Sequence, residues 1–544
     1  MKALFTRILP RLFCLVVVMA GAVVLLLRYF EKPQVEALAP SRASEQIATD
    51  LATVNASFEK ARLTAGVSLT PEADPYTLVR RLSLSLTGAP PSLEEIRRLE
   101  GLTKGADPVQ AWLDHLFSDR RYADQMAERF ARVFVGVETG PFLVYRRRRL
   151  VTWLGDQLAM NRRYDHLVND LIASEGLWTS RPETNFITVS VVQGGGGPDE
   201  VKLAARTSRA FLGISLDCVQ CHDDKFGDRW KQADFHQLAA YFAQADTTIT
   251  GVREKKDKEY ETRFLGHTEA TKVEPQVPFS NEFAQGGGSR RQQLARWVTH
   301  PGNEAFARAT VNRVWAILFG RPLVDPVDDI PLTGPYPAGL EELAGIFTQN
   351  DYDLQHLIRV MAASDPFRRE SRSADPDHPV TAEQESAWAA FPITPLRPGQ
   401  VAGSIIQAGS LQALDSTTHI LQKLRRFGET QQFVKRYGDP GEDTFAEESG
   451  TIPQRLLLMN GNLVKERTDP NPVMNSSTRI ADYAPSDGSA VESAFLAVLT
   501  RYPNEEEKAH FADLLSGTKK KNRELALADL YWALINSTEF SWNR

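Results

Sequence analysis

Apolar residues recur at helical spacing through most of the chain beyond residue 70. After Asp74-Pro75-Tyr76, the side chains of Leu78, Val79, Leu82 and Leu86 fall on one face of a helix. Sustained alternation of apolar and polar residues, which is typical of half-buried strands, is scarce. This periodicity predicts a mainly α fold.

Individual helices can be placed from the same period and from capping residues. Ser92, with Glu95 three residues later, forms a capping box that begins a helix. Long polar stretches at 371–385, 428–450 and 466–486 predict loops. Further helices are predicted at 44–62, 109–117, 122–134, 149–160, 164–174, 199–211, 292–298, 304–319, 340–347, 354–363, 490–499, 505–515 and 524–535.

Chain length and charge limit the organisation and the partners. At 544 residues the chain is too long for one ordinary core, so we expect two domains. The charged, unpatterned stretch 251–288 ends in Gly286-Gly287-Gly288 and is interpreted as a linker. It separates a helical domain at 71–250 from a C-terminal helical domain at 289–544. The net charge of -6 argues against a nucleic-acid partner, because phosphate binding needs a basic surface.

The N-terminus has the composition of an export signal. Three basic residues precede an apolar run at 12–27. We interpret residues 1–30 as an uncleaved signal anchor, with a cleaved signal peptide as the alternative, and residues 31–70 as a tether that leads into a helix. The expected arrangement is two helical domains behind an N-terminal membrane anchor. The anchor crosses the cell membrane once, and the body lies in the periplasm or on the cell exterior.

One pentapeptide, Cys218-Val219-Gln220-Cys221-His222, contains two of the three cysteines in the chain. The third, Cys14, lies in the N-terminal apolar run. Cys-x-x-Cys-His is the attachment signature of c-type haem. The two thiolates can add to the haem vinyl groups, and the histidine supplies one axial nitrogen to the iron. The motif therefore predicts covalent haem c at Cys218 and Cys221, with His222 as the proximal iron ligand.

The second axial ligand of such a haem has several candidates. A small cytochrome c places a methionine some tens of residues after the motif, but no methionine lies between Met160 and Met361. The candidates are therefore His236, His267, the distant Met459, water or no ligand. His236 is named as the sixth ligand, and a partly buried structural histidine is the competing interpretation.

Other interpretations of the motif stay open. The two cysteines can form a structural disulfide in an oxidising compartment. With His222 they supply three ligands of a zinc tetrahedron, and Asp223, Asp224 and Asp228 offer oxygen ligands for calcium. Hydrolase signatures and phosphate-binding loops are absent from the sequence, and no enzymatic reaction is assigned. The alternative function is a non-enzymatic surface or scaffold protein with a Cys218–Cys221 disulfide or metal clip.

A set of short motifs runs through both predicted domains. They are Arg81–Pro91, Phe211–Ile214, Cys218–His222, Phe226, Arg229-Trp230, Leu238–Phe242, Asn312–Trp315, Leu318–Arg321, Leu323–Asp325, Pro453-Gln454, Leu458–Asn460 and Trp532–Phe540. Together they resemble a two-domain family of unknown function found in planctomycete-type surface proteins, often beside separate cytochrome c modules. The resemblance covers most of residues 75–544.

The resemblance implies a cytochrome-like N-terminal domain that bears Cys-x-x-Cys-His, followed by a C-terminal helical domain. Haem-linked electron transfer, or another redox role served by a redox partner protein, is the function that it implies. Many members carry a histidine where this chain has Asp224, so this position offers no imidazole ligand here. The chain also lacks a second Cys-x-x-Cys-His.

Overall fold

A computed structural model describes residues 44–102, 107–137, 140–141, 143–192, 197–225, 229–375, 377–413, 430–438, 445, 450–471 and 475–544. The structure is 59% helix and 5% strand, which confirms the mainly α fold class. The predicted anchor at 1–30 lies outside the described residues, as does the tether up to residue 43. Within the described part, no helix is both long enough and apolar enough to span a membrane.

The first half of the molecule is a succession of helices that leads to the cysteine motif and then to two small antiparallel strand pairs. Its elements are α1 (Ser44–Ala65), α2 (Pro75–Thr87), α3 (Leu93–Leu102), α4 (Pro108–Ser118), α5 (Arg120–Val135), α6 (Arg147–Ala159), α7 (Tyr164–Ala173), α8 (Asn185–Thr188), α9 (Glu200–Leu212), α10 (Gln232–Ala239), β1 (Ala245–Thr248), β2 (Gly251–Glu254), β3 (Glu261–Thr262) and β4 (Thr271–Lys272).

The second half is again helical, and its last strand closes back onto an earlier one. Its elements are α11 (Arg290–Thr299), α12 (Glu304–Phe319), α13 (Leu340–Gln349), α14 (Leu354–Ala363), α15 (Asp365–Arg368), α16 (Ala382–Ser386), β5 (Thr394–Pro395), α17 (Pro398–Ala408), α18 (430–437), α19 (Ile452–Asn460), α20 (Asn462–Thr468), α21 (Ser476–Tyr483), α22 (Asp487–Leu499), α23 (Glu505–Leu515), α24 (Lys521–Ile535) and β6 (Trp542–Asn543). Strand β6 pairs antiparallel with β5, with Thr394 opposite Asn543.

Several sequence predictions are confirmed at residue level. Helices α12, α14 and α23 have the predicted bounds. The capping box before α3 also forms: the backbone N–H of Ser92 donates to Glu95 Oε2 at 2.8 Å, and the N–H of Glu95 donates to Ser92 Oγ at 3.2 Å. The loop predictions at 428–450 and 466–486 are wrong in part, because α18 and α21 lie within them.

Two clusters of buried apolar side chains form the interior. The first draws on residues from Val54 to Phe391 and therefore on both predicted domains. The second draws on residues from Leu396 to Phe540, together with Leu84 of α2. Helix α2 is buried along most of its length because it contributes to both clusters. The two cores meet at this helix.

Two arginines of α2 also connect this helix to distant parts of the chain, through hydrogen bonds to backbone carbonyl groups. Arg81 is buried, and its Nε donates to the carbonyl oxygen of Arg544 at 2.7 Å. The neighbouring Arg80 reaches the carbonyl oxygens of Val498 and Phe540, each at 3.5 Å. The early helix therefore fixes the C-terminal end of the chain.

The stretch 251–288, expected to be a linker, is folded and packed. Strands β1 and β2 pair antiparallel with Ala245 opposite Glu254, and β3 pairs with β4. Most of its charged residues are exposed, although Glu254 is buried against Arg291, and its buried apolar residues are widely spaced, so no period was visible in the sequence. The buried residues that it adds to the first core are Val252, Tyr260, Val273, Val277 and Ala284.

Candidate functional site

The cysteine motif follows the end of α9. This helix begins after Asp199, which accepts a hydrogen bond from the N–H of Lys202 at 3.0 Å, and it ends at Gly213 in the left-handed conformation. The carbonyl oxygen of Gly213 accepts a hydrogen bond of 2.7 Å from the N–H of Ile330. This contact fixes the direction in which the chain leaves the helix, and the motif comes five residues later.

The motif itself forms one turn of 3₁₀ helix at Cys218–Gln220. Val219 points inward and is 3% exposed, whereas the thiols of Cys218 and Cys221 are exposed and not joined to each other. Backbone bonds within the turn are long, at 3.4 Å from the N–H of Cys221 to the carbonyl oxygen of Cys218. The turn therefore holds one apolar side chain in the core and presents two sulfur atoms to solvent.

His222 is half-buried, and its hydrogen bond defines the tautomer of the ring. Nδ1 lies 2.7 Å from the carbonyl oxygen of Asp223. A carbonyl oxygen can only accept, so Nδ1 carries the hydrogen and the neutral ring keeps its lone pair on Nε2. Metal-binding histidines have this arrangement, in which one ring nitrogen donates to a carbonyl group and the other binds the metal.

The carbonyl oxygen of Gln220, between the two cysteines, accepts two hydrogen bonds from α10. The donors are Nε2 of Gln232 and Nε2 of His236, each at 3.1 Å. These two residues are four positions apart and therefore lie on the same face of the helix. We refer to Gln232 and His236, with the carbonyl group that they share, as the Gln220 clamp.

Both clamp side chains are supported from the stretch 251–288. The backbone N–H of Leu265 donates to Gln232 Oε1 at 3.0 Å, and Tyr260 Oη lies 2.8 Å from His236 Nδ1. Because Nε2 of His236 donates to a carbonyl, Nδ1 accepts from the tyrosine hydroxyl when the ring is neutral. Burial lowers the pKa of His236, and the hydrogen bond to Gln220 opposes this shift.

The iron ligands predicted from the sequence differ in how free their ligand atoms are. Cys218, Cys221 and His222 share one surface turn, but both ring nitrogens of His236 are engaged in hydrogen bonds. The competing interpretation of His236 as a structural residue agrees with these contacts, and a ligand role requires that one of the bonds breaks.

The other candidate ligands of the iron lie elsewhere. His267 is exposed beside Phe264. Met459 lies on α19 with 47% of its surface exposed, and its carbonyl oxygen accepts a hydrogen bond from Trp532 Nε1 at 3.2 Å. Met459 therefore occupies a surface helix whose apolar neighbours belong to the second core.

The acidic residues after the motif include one, Asp223, whose side chain caps the start of α10. Asp223 Oδ1 accepts from the N–H of Gln232 at 2.8 Å, and the N–H of Asp224 donates to the carbonyl oxygen of Trp230 at 2.9 Å. Asp228 lies outside the described residues. Arg229 pairs with Asp329 at 3.1 Å. These contacts fold the segment after His222 back onto the start of α10.

A second group of metal-ligand side chains lies away from the motif. Ligand atoms of Glu95, His115 and Asp119 all lie within 4.8 Å of one another, and no other such group is found among the residues that the structure describes. Arg121 already bonds both carboxylates, with 2.7 Å to Asp119. Burial raises the pKa of Glu95, but the hydrogen bond from His115 and the charge of Arg121 outweigh it and lower the pKa to about 2. We interpret this group as a structural ion-pair network.

Sequence reasoning missed the supporting residues Gln232, Tyr260 and Leu265. Their contacts join segments that are 12 to 33 positions apart, and no local spacing reports such contacts. The one available signal was the i, i+4 placement of Gln232 and His236, which puts two polar side chains on a helix face that is otherwise apolar.

Comparison with known proteins identifies two regions. Residues 53–247 match PSCyt2, described as a protein of unknown function (DUF1549), and residues 290–440 match PSD1, described as a protein of unknown function (DUF1553). The cysteine motif and α10 lie within the first match, and Tyr260 and Leu265 lie between the two. No curated protein and no solved structure matches the chain. The two matches in one chain fit a two-domain family of unknown function.

Proposed function

We propose that Cys218 and Cys221 attach a haem covalently and that His222 Nε2 binds its iron. The observation that carries this proposal is the 2.7 Å hydrogen bond from His222 Nδ1 to the carbonyl oxygen of Asp223, which leaves the Nε2 lone pair available beside two unpaired, exposed thiols. Each thiol adds across a carbon–carbon double bond, so attachment forms a thioether without a leaving group or an oxidant. When bound there, haem would supply reversible one-electron chemistry.

The surroundings of the motif support a bound group. Val219 anchors the turn in the core, so the sulfur atoms and the imidazole stay on the outer side. Trp230, whose carbonyl group bonds the Asp224 amide, is 7% exposed, and its Nε1 has no hydrogen-bond partner in the described part of the chain. Buried donors are normally satisfied, so this indole N–H is an exception close in sequence to the motif.

We further propose that the protein is exported and held at the cell membrane by its N-terminal apolar run. The basic residues before the run at 12–27 support an orientation with the folded body outside the cytoplasm. That compartment permits both thioether attachment and disulfides. In this arrangement a haem held by the exposed Cys218 and Cys221 would lie within reach of a redox partner protein.

A non-enzymatic surface or scaffold protein, with the two cysteines acting as a clip, is the alternative from a different class. A zinc clip needs the ligand atoms of Cys218, Cys221 and His222 close together. Among the described residues, however, the one set of three ligand atoms that all lie within 4.8 Å of one another is at Glu95. The two thiols are also unpaired. The two functions differ in what the sulfur atoms bind, which is haem carbon atoms in the first and each other or a metal ion in the second.

Covalent haem can be tested directly by producing the full-length chain in a host with a c-type maturation system. We expect a haem-stained band on a denaturing gel and a pyridine haemochrome spectrum with reduced vinyl character. Cys218→Ser should remove or weaken the band, whereas Cys14→Ser, a matched change of the third cysteine, should leave it intact. Absence of haem beside a control cytochrome that matures normally contradicts the proposal, and a Cys218–Cys221 disulfide found by mass spectrometry then supports the clip.

A further inference from the structure

The Gln220 clamp has a property that distinguishes it from ordinary packing. A carbonyl oxygen has two lone pairs, and both are used here by side chains of a single helix. The donors are buried, with Gln232 8% exposed and His236 4% exposed. A buried donor that loses its partner is costly, so movement of the Gln220 carbonyl leaves two donors unsatisfied at once.

The clamped peptide group occupies a sensitive position. Gln220 stands directly before Cys221 and His222, so rotation of its carbonyl group changes the direction of both side chains. The internal backbone bonds of the turn, at 3.4 Å from the amides of Gln220 and Cys221, are too long to hold that direction alone. The orientation of the motif therefore depends on contacts from outside it.

We propose that Gln232 and His236 are positioning residues for the cysteine motif, and that Tyr260 and Leu265 form the layer that positions them. The assignment of this layer to a haem site rests on the function proposed above, whereas the clamping of the turn does not. The stretch between the two family matches thereby becomes part of the site. Partners that orient a ligand in this way commonly change affinity or activity by about 10- to 100-fold when they are removed.

The first measurement is hydrogen exchange of the motif in the full-length chain, followed by mass spectrometry of a peptide that covers 216–224. His236→Phe keeps the aromatic packing but removes the bond to Gln220. We expect exchange in the motif to become faster by about tenfold, the loss that follows from one buried hydrogen bond. His236→Gln, which can place an amide nitrogen near the position of Nε2, should restore slow exchange.

A matched control separates local positioning from general stability. His356 is buried like His236, and its Nε2 lies 2.7 Å from Asp50 Oδ2 in a contact between α1 and α14. His356→Phe should lower stability without a selective change in the 216–224 peptide. If His236→Phe leaves exchange of the motif unchanged, or accelerates all core helices equally, the positioning role is overturned.

The second measurement is the haem content of the same variants in the maturation host. We expect about a tenfold loss of haem per chain in His236→Phe, recovery in His236→Gln, and a shifted midpoint potential in the haem that remains. If the wild-type chain holds no haem but hydrogen exchange of its motif still depends on His236, the proposed function is contradicted and the positioning role of the clamp stands. If the wild-type chain holds haem and His236→Phe changes neither the haem content nor the midpoint potential, the positioning role is contradicted and the proposed function stands.

Discussion

Gly176 and Val252 exchange both of their backbone hydrogen bonds, each 2.9 Å long. This pairing docks the β1–β2 hairpin against the segment that follows α7. It places the stretch expected to be a linker on the first core, and the same stretch supplies Tyr260 and Leu265 to the Gln220 clamp. The hairpin and the candidate site are therefore parts of one packed structure.

The docking of this hairpin requires a glycine at position 251. Gly251 has a φ of +109°, and a Cβ there would lie 2.1 Å from the carbonyl carbon and oxygen of Gly176. Gly251→Ala should therefore lower the free energy of unfolding by about 2 kcal/mol or more, from strain and overlap together. Urea-induced unfolding followed by far-UV circular dichroism measures this loss.

Gly287→Ala provides the matched control for this change. A Cβ at Gly287 meets no heavy atom within 4 Å, and the residue lies in the same stretch of the chain. We expect its unfolding midpoint to stay close to that of wild type, within about 0.5 kcal/mol. Equal effects of the two substitutions would show that the hairpin does not contribute to the core.

Arg81 connects the early and late parts of the chain through several contacts. Its Nε bonds the carbonyl oxygen of Arg544, and its Nη1 donates to the carbonyl oxygens of Phe367 and Arg369 at 2.8 and 2.9 Å. Its guanidinium also lies 3.7 Å from the centre of the Phe391 ring. Arg81→Met keeps much of the volume but leaves these carbonyl groups without a donor. We expect a loss of about 3 kcal/mol or more in the free energy of unfolding.

Arg98→Met tests whether the effect of Arg81→Met comes from burial. Arg98 has 65% of its side chain exposed and pairs with Glu94 one helical turn away. Such surface pairs contribute little, so we expect a change below about 0.5 kcal/mol in the same urea titration. A loss at Arg98 as large as that at Arg81 contradicts the role assigned to the buried bonds.

Helices with apolar periodicity and local stop signals were predictable from sequence. Helix α12 is followed by Gly320, which is left-handed with a φ of +77°, and α23 is preceded by Asn504, whose side chain accepts a hydrogen bond from the N–H of Glu507. In both cases the signal that ends or begins the helix lies within a few residues of the apolar pattern. Local chemistry decides such bounds, so one sequence suffices.

Helix α21 was missed because the buried residues of its first turn are polar. Ser476, Ser477 and Thr478 are all buried, and Ser476 Oγ donates to the carbonyl oxygen of Ala408 and lies 3.1 Å from Tyr531 Oη. A hydrophobic period cannot indicate a helix whose first turn buries hydroxyl groups. The Gln220 clamp was likewise not predicted, because its hydrogen bonds join residues that are far apart in the sequence. The motif that it holds was predicted because its five residues are contiguous.

The ion-pair network at Glu95 predicts a stability change at low pH. The folded pKa of Glu95 is about 2, against an ordinary value of 4.5, so the unfolded chain binds a proton first as the pH falls. This contribution to the free energy of unfolding is fully present above pH 4.5 and is lost as the pH falls from 4.5 to about 2. It amounts to roughly 3 kcal/mol. Glu95→Gln should flatten the dependence of the unfolding free energy on pH in this window. A variant that keeps the full wild-type slope contradicts this assignment.

His236 predicts a separate change at mildly acidic pH. Burial lowers its pKa in the folded protein, so the folded state resists protonation while the unfolded state takes up a proton below about pH 6.5. The stabilisation is therefore present above that pH and is lost as the pH falls through it. His236→Gln should remove this part of the pH dependence in urea titrations between about pH 8 and pH 5. A His236→Gln variant that keeps the wild-type dependence of the unfolding free energy on pH in this range would show that His236 is not the group responsible.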